Sequence, residues 1–153
     1  MSDKVLDLVI GNVTVNLDLI KKAESRVMEI ASASPSQALE LIAFFTDSLS
    51  ELIDNIFDVQ LAFMRSEVET ERIKSLITLS LDNEGQKKAS NADTRKAMVF
   101  TNPDFLSAID KQNQLEATLA YLKEKRDILS KAYFGAKEII AVNGGFNGER
   151  INA

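Results

Sequence analysis

Cysteine and histidine, two residue types common in enzyme and metal sites, are absent from this chain of 153 residues, and proline occurs only twice. Without cysteine the chain can form neither a disulfide nor a thiolate-bound metal site. Without histidine it lacks the usual general base and the commonest neutral metal ligand. The glycine-rich segment 144–148 is not a phosphate-binding loop, because it lacks a Lys-Ser/Thr pair. We therefore predict a protein that is not an enzyme and that binds no cofactor.

Long apolar runs are missing as well. No stretch approaches the ~20 residues that a membrane-spanning helix needs. The run Val5–Ile10 is too short for a signal peptide, and it contains Asp7. We expect the chain to stay in the cytoplasm of its cell and to have no membrane partner. The length predicts one domain, and the composition, with 45% apolar and 27% charged residues, is typical of globular or coiled-coil proteins.

Two strong helix start signals divide the chain. Ser34-Pro35-Ser36-Gln37 combines a capping serine, a proline in the first turn and a glutamine that completes a capping box. Asn102-Pro103 is a second start, with asparagine as the cap. The next helix-breaking residues are Gly85 after the first start and Gly144-Gly145 after the second. We predict long helices over residues 35–81 and 103–142, a loop with a short helix over 82–102, and a tail over 143–153.

Both predicted long helices carry an apolar seam, in which large side chains recur at alternating steps of three and four residues. Two such seams joined by a loop pair antiparallel. The predicted fold class is therefore all-α, a long antiparallel, coiled-coil-like helical hairpin. The N-terminal segment 1–33 is either a β-hairpin around Gly11-Asn12 or a further helix. One partner helix covers only part of each seam, so we predict a homo-oligomer. Its seam residues are Phe45, Leu49, Leu52, Ile56 and Phe63.

Charge is distributed unevenly. Residues 1–61 contain four basic and ten acidic residues, for a net charge of −6, whereas the remainder carries +1. No Lys or Arg occurs between Val27 and Met64. Within this span, acidic residues of the first long helix fall within about 60° of one another on one face. We call this set the acidic stripe: Glu40, Asp47, Glu51, Asp54 and Asp58.

The acidic stripe has three interpretations. Solvated helix faces usually interleave Lys with Glu, because like charges one turn apart repel. A stripe without cations is therefore either an ordinary solvated face or a docking surface for a basic protein. A metal site is the least favoured interpretation, because carboxylates spread along a straight helix diverge and do not easily surround one ion.

A second charged set is basic and lies around the connecting loop. Lys and Arg neutralise phosphates whatever the base sequence, so such a set is either a nucleic-acid site or an ordinary solvated loop. Its members are Lys74, Lys87, Lys88, Arg95 and Lys96. Five cations of the last helix lie near three aromatic residues, which can stack on single-stranded bases or pack in the core. They are Lys123, Lys125, Arg126, Lys131 and Lys137, near Tyr121, Tyr133 and Phe134.

Several features of residues 59–142 occur in a recognisable order. A long helix passes through Leu61–Arg65 and ends in a polar loop. Thr94–Ala97 and the helix start Asn102–Asp104 follow, and the final amphipathic helix contains Leu119, Tyr121, Leu122, Lys125 and Arg126. In this order and spacing the chain resembles the phage recombination-mediator family of UvsY-like helical proteins. Members of that family bind single-stranded DNA, contact a single-strand-binding protein and help to load a recombinase as oligomers.

The resemblance implies a role for the basic set: Lys87, Lys88, Arg95 and Lys96 correspond to DNA contacts. On this basis we expect a non-enzymatic, oligomeric accessory protein of phage-type DNA recombination. Its partners would be single-stranded DNA and either a recombinase or a single-strand-binding protein. One alternative is an acidic interaction or inhibitor protein that docks on a basic protein surface. Another is a structural coiled-coil component of a larger particle.

Overall fold

The computed structural model describes residues 7–10, 12–83 and 92–151, with side chains for residues 12–81 and 92–143. Apart from one short strand pair, the regular elements in these ranges are helices, and the all-α prediction is confirmed. In chain order the elements are β1 (Asp7–Ile10), β2 (Val13–Asn16), α1 (Leu17–Val27), a 3-10 helix (Met28–Ser32), α2 (Pro35–Asn83), α3 (Ala92–Thr101) and α4 (Pro103–Ile151).

The N-terminal segment begins as a β-hairpin, one of its two predicted conformations, and continues as a helix. β1 and β2 form a two-stranded sheet. Asn16 ends β2 and caps α1, because its Oδ1 accepts a hydrogen bond from the Leu19 backbone N–H over 3.0 Å. Val15 and Ile20 are buried. The hairpin therefore leads directly into the first helix of the core.

Both predicted start signals begin a long helix. The Ser34 N–H donates to Gln37 Oε1 over 2.8 Å, and the Gln37 N–H donates to Ser34 Oγ over 3.2 Å. These two bonds are the predicted capping box of α2. At the start of α4, Asn102 Oδ1 accepts from the backbone N–H groups of Asp104 and Phe105 over 2.9 and 3.3 Å. Each cap satisfies backbone donors that a helix leaves unpaired in its first turn.

The predicted end of α4 is wrong. The segment 143–153 was expected to be a tail beyond Gly144-Gly145, but α4 continues to Ile151. Glycine weakens a helix by about 1 kcal/mol relative to alanine but leaves the backbone hydrogen bonds intact. Without a proline after it, the glycine pair does not terminate the helix. The end of α2, at Asn83, is two residues beyond the prediction.

The described chain divides into two compact units. The first takes its helices from Thr14–Phe57 and from α4 after Ala120. In it α1 leads through the 3-10 helix into the antiparallel start of α2, and the Arg26 guanidinium lies 4.6 Å from the centre of the Phe44 ring. α4 runs parallel to α1: Lys125 contacts Glu24, and Gly135 lies beside Ile30.

The second unit takes its helices from Asp58–Leu119. Here the end of α2 lies beside α3 and the start of α4. One open cleft is lined by Leu76 and Leu81 together with Met98, and the next by Glu69 together with Lys111. From the first cleft to the second, residue numbers fall along α2 and rise from α3 into α4. The end of α2 is therefore antiparallel to the start of α4 within this unit.

The two predicted seams form the interior of these units. The seam of α4 contains buried Phe105, Leu115, Leu122 and Leu129, and its other members are buried or half-buried. Buried hydroxyl groups bond to their own helix: the Ser48 hydroxyl, for example, donates to the Phe44 carbonyl over 2.8 Å. Of the helices in the described ranges, none has both the length and the apolar character needed to cross a membrane.

Candidate functional site

The acidic stripe lies on the solvent side of α2. All of its members, Glu40, Asp47, Glu51, Asp54 and Asp58, are exposed. Buried α2 residues such as Leu41, Phe45 and Leu52 lie on the opposite side of the helix. In the part of the chain that the structure describes, none of the five carboxylates forms a hydrogen bond or an ion pair.

A second row of exposed residues runs beside the acidic stripe. Leu39, Thr46, Ser50, Ile53 and Phe57 each immediately precede one of the five acidic residues. The two rows therefore have identical spacing and lie about 100° apart around α2. We call this row, together with Ala43, the apolar stripe.

The apolar stripe exposes large side chains to solvent. Leu39 is 60% exposed, Ile53 52% and Phe57 67%. Between them the stripe contains only small residues, and the Thr46 hydroxyl donates to the Ile42 carbonyl over 2.7 Å. This internal bond satisfies the hydroxyl of Thr46. The stripe thus has small residues in its middle part and large apolar side chains near both ends.

The residues predicted to form an oligomer seam lie under these stripes, inside the chain. Phe45 is fully buried and Leu52 and Ile56 are buried, while Leu49 and Phe63 are half-buried. The surface that they were expected to offer to another copy is occupied by the chain's own helices. Homo-oligomerisation itself stays a prediction.

The predicted basic set is only partly described. Lys87 and Lys88 lie outside the described residues. Lys74 is exposed on α2, with its Nζ 3.9 Å from Glu71 Oε1. Arg95 is half-buried and Lys96 is exposed, both on α3. The described contacts place these three cations on two helices and bring no two of them into contact, so the phosphate-binding role stays a prediction.

Three of the five predicted cations of α4, Lys125, Arg126 and Lys137, have described partners within the chain. Lys125 Nζ lies 2.7 Å from Glu24 Oε1 and 5.0 Å from the centre of the Tyr121 ring. The hydrogen bond that Lys125 donates to Glu24 raises the pKa of Lys125 above its ordinary value. Arg126 pairs with its neighbour Asp127 over 3.2 Å. Of these two pairs, the one between Lys125 and Glu24 joins α4 to α1 in the first unit.

The clefts of the two units are shallow and open. One of about 440 Å³ is lined by Leu76, Ile77, Met98 and their neighbours. Another of about 270 Å³ lies beside Arg26, Glu29 and Glu40. Among residues with described side chains, no three acidic groups come close enough together to hold a metal ion. The surface of α2 is therefore the most distinctive feature that the described residues offer to a partner.

Comparison of the chain with protein-family models, with curated proteins and with solved structures finds no match.

The apolar stripe was missed at the sequence level, although its signal is present in the sequence. The three-and-four spacing predicts a single apolar seam on α2, whereas Ile53 and Phe57 lie about 100° away from the seam residues Leu52 and Ile56 around the helix. Each is one residue removed from a true core position. Of these two apolar rows of α2, the seam with Leu52 and Ile56 is buried and the apolar stripe with Ile53 and Phe57 is exposed.

Proposed function

We propose that this protein is a non-enzymatic binding protein whose acidic stripe on α2 docks on a basic surface of another protein. The observation that carries the proposal is the set of five exposed carboxylates, none of which forms an ion pair in the described part of the chain. Asp47 with Glu51 and Asp54 with Asp58 are one turn apart, and each like-charge pair costs a few tenths of a kcal/mol. The chain itself does not offset this repulsion. A basic partner would remove it on binding.

Electrostatic complementarity acts mainly on the rate and specificity of association. In the first unit, the carboxylates from Glu40 to Asp54 form a row of negative charge along about four helical turns, uninterrupted by cations. Such a row attracts a basic surface and repels nucleic acid. This favours the docking interpretation over the DNA-binding one for the first unit. Single-stranded DNA binding by the basic set stays a prediction for the second unit, and the experiment below measures it separately.

The test compares two variants with the same change of net charge. One neutralises the stripe with Asp47→Asn, Glu51→Gln, Asp54→Asn and Asp58→Asn. The control neutralises four exposed residues of α4, namely Asp110→Asn, Glu116→Gln, Glu124→Gln and Glu138→Gln. Binding of a lysine-rich peptide and of single-stranded oligothymidine is measured by fluorescence anisotropy at several salt concentrations. Circular dichroism checks that both variants keep the helical content of the wild type.

We expect the stripe variant to lose peptide binding and the control to keep most of it. Equal losses in the two variants would mean that net charge alone, not the stripe, attracts the peptide, and the proposal would fail. For DNA, binding whose log–log salt slope is about −0.7 per phosphate, and which falls when Arg95 and Lys96 are changed to alanine, would favour the recombination-mediator prediction instead.

A further inference from the structure

We infer that the partner is an amphipathic helix that lays its apolar face along the apolar stripe and its lysine or arginine residues along the acidic stripe. This inference rests on the proposed function, because it takes the acidic stripe as a docking surface. It adds the shape and the apolar chemistry of what docks there. The docking surface is the part of the two stripes that lies in the first unit, from Leu39 to Phe57.

The geometry of the stripe matches one helix in length and profile. Leu39 and Phe57 are eighteen residues apart, which corresponds to about 27 Å of helix at ~1.5 Å per residue. Between Leu39 and Ile53 the surface is formed by Ala43, Thr46 and Ser50, whose small side chains let a second helix approach closely. Large residues at the two ends fit against the ridges of such a helix, as in ridge-into-groove packing.

Charge complementarity decides the chemistry of the partner. The acidic stripe borders the apolar stripe along its whole length, on one side only. A helix seated on the apolar stripe therefore has one flank directly over four carboxylates of the first unit: Glu40, Asp47, Glu51 and Asp54. Acidic residues on that flank would repel, and neutral ones would leave the carboxylates partly desolvated without a partner. Only lysine or arginine satisfies this flank.

A second copy of α2 does not fit this face. In an antiparallel pair related by a twofold axis, both acidic stripes lie on the same side of the contact and face each other. In a parallel pair, each acidic stripe faces the opposite flank of the other helix, which carries Ile42 and Leu49. Neither arrangement supplies a cation, because α2 has none before Arg65. The favoured occupant is therefore a different, basic helix.

The test uses the full chain and three synthetic peptides of 21 residues. The first forms a helix with a leucine stripe bordered on one side by lysines. The second has the same composition in an order that gives no helical stripe. The third keeps the leucine stripe but has glutamate in place of lysine. We expect the wild-type chain to bind the first peptide at least about tenfold more tightly than the second and not to bind the third.

Matched variants locate the contact on the chain. Ile53→Ala with Phe57→Ala removes the large side chains at one end of the stripe, and both are exposed, so folding is retained. The control, Phe134→Ala with Val142→Ala, removes similarly exposed side chains, at 61% and 64% exposure, from α4. We expect the first pair to weaken binding of the stripe-forming peptide by about tenfold and the control to leave it unchanged.

The outcomes separate the inference from the proposed function. If both lysine peptides bind equally and stripe neutralisation abolishes both, the acidic stripe docks a basic surface but the helix inference is overturned. If neutralisation of the acidic stripe changes the binding of neither lysine-containing peptide, the proposed function fails and the inference fails with it. Equal effects of the Ile53/Phe57 and Phe134/Val142 pairs overturn the inference. The inference is also overturned if analytical ultracentrifugation shows that the wild type is a dimer and that Ile53→Ala with Phe57→Ala converts it to a monomer.

Discussion

The ammonium group of Lys125 donates a hydrogen bond to Glu24 Oε1 over 2.7 Å and thereby joins α4 to α1. The two side chains are only 17% and 28% exposed, so the pair is held in a largely covered position. This hydrogen bond, together with the charge of the Glu24 carboxylate, raises the pKa of Lys125 above its ordinary value of 10.5. The charged form of Lys125 is therefore more stable in the folded chain than in the unfolded one.

The first prediction concerns this pair. Because the pKa of Lys125 is higher in the folded state, its contribution to stability is fully present below the unfolded value and is lost as pH rises through the folded one. We expect Lys125→Met to lower the free energy of unfolding by about 1–3 kcal/mol near neutral pH, since it leaves Glu24 without its partner. The difference from the wild type should shrink above pH 10.5.

Urea unfolding followed by circular dichroism, at neutral pH and again above pH 10.5, measures this difference. Lys131→Met is the control, because Lys131 is exposed on the same helix and has no described ion pair. A constant difference across the whole pH range would show that Lys125 acts through its packing rather than through its charge.

The second prediction concerns Gly135, in the middle of α4. A Cβ atom at this position would lie 3.6 Å from Ile30 Cγ2, which is an ordinary van der Waals contact. Glycine destabilises a helix interior by up to about 1 kcal/mol relative to alanine. We therefore expect Gly135→Ala to raise the free energy of unfolding by about 0.5–1 kcal/mol, measured by thermal and urea unfolding. Gly135→Leu should lower it by about 1–3 kcal/mol through overpacking against Ile30. A loss with alanine would contradict the first expectation.

The third prediction separates stability from binding on α2. Asp54 and Asp58 are one turn apart and repel, so Asp54→Asn should leave the free energy of unfolding unchanged or raise it by a few tenths of a kcal/mol. Asp47→Asn should do the same with respect to Glu51. Both gains should vanish at high salt, where exposed charges are screened. Thermal unfolding at low and high salt measures this. Marked destabilisation by either change would mean that these carboxylates support the fold.

Much of the fold is predictable from the sequence, because its signals are local. A capping box at Ser34–Gln37 and an asparagine cap at Asn102 are each decided by a few neighbouring residues, and both form as predicted. The apolar seam of α4, which alternates steps of three and four residues and includes Phe105, Leu115, Leu122 and Leu129, likewise identifies the inner face of the helix without knowledge of its partner.

The candidate site was harder to predict, because it depends on which apolar residues of α2 are covered by other helices of the chain and which remain exposed. Sequence spacing alone identifies the acidic stripe, since charge on a helix face is a local property. It does not show that Leu52 is covered within the chain while its neighbour Ile53 remains exposed. That distinction depends on where α1 and α4 lie against α2, which is a long-range property. The same limit affected the oligomer seam, whose residues were correctly grouped but assigned to a contact between copies.

The last prediction concerns that seam. Leu52 is 1% exposed and Ile53 is 52% exposed, although they are adjacent on α2. Leu52→Ala removes buried methyl groups and leaves a cavity, so we expect it to lower the free energy of unfolding by about 2–5 kcal/mol. Ile53→Ala should change it by less than about 0.5 kcal/mol, because a partly exposed position away from special features tolerates substitution.

Urea unfolding of both variants, at two protein concentrations tenfold apart, distinguishes a core from an interface between copies. If Leu52 packs inside one chain, its variant is destabilised by the same amount at both concentrations. If the seam joins copies, stability depends on concentration by mass action, and Leu52→Ala shifts the mass measured by light scattering toward the monomer. A folded, monomeric Leu52→Lys variant beside an oligomeric wild type would contradict an intrachain seam, because a lysine buried without a partner carries a desolvation cost that unfolds the core.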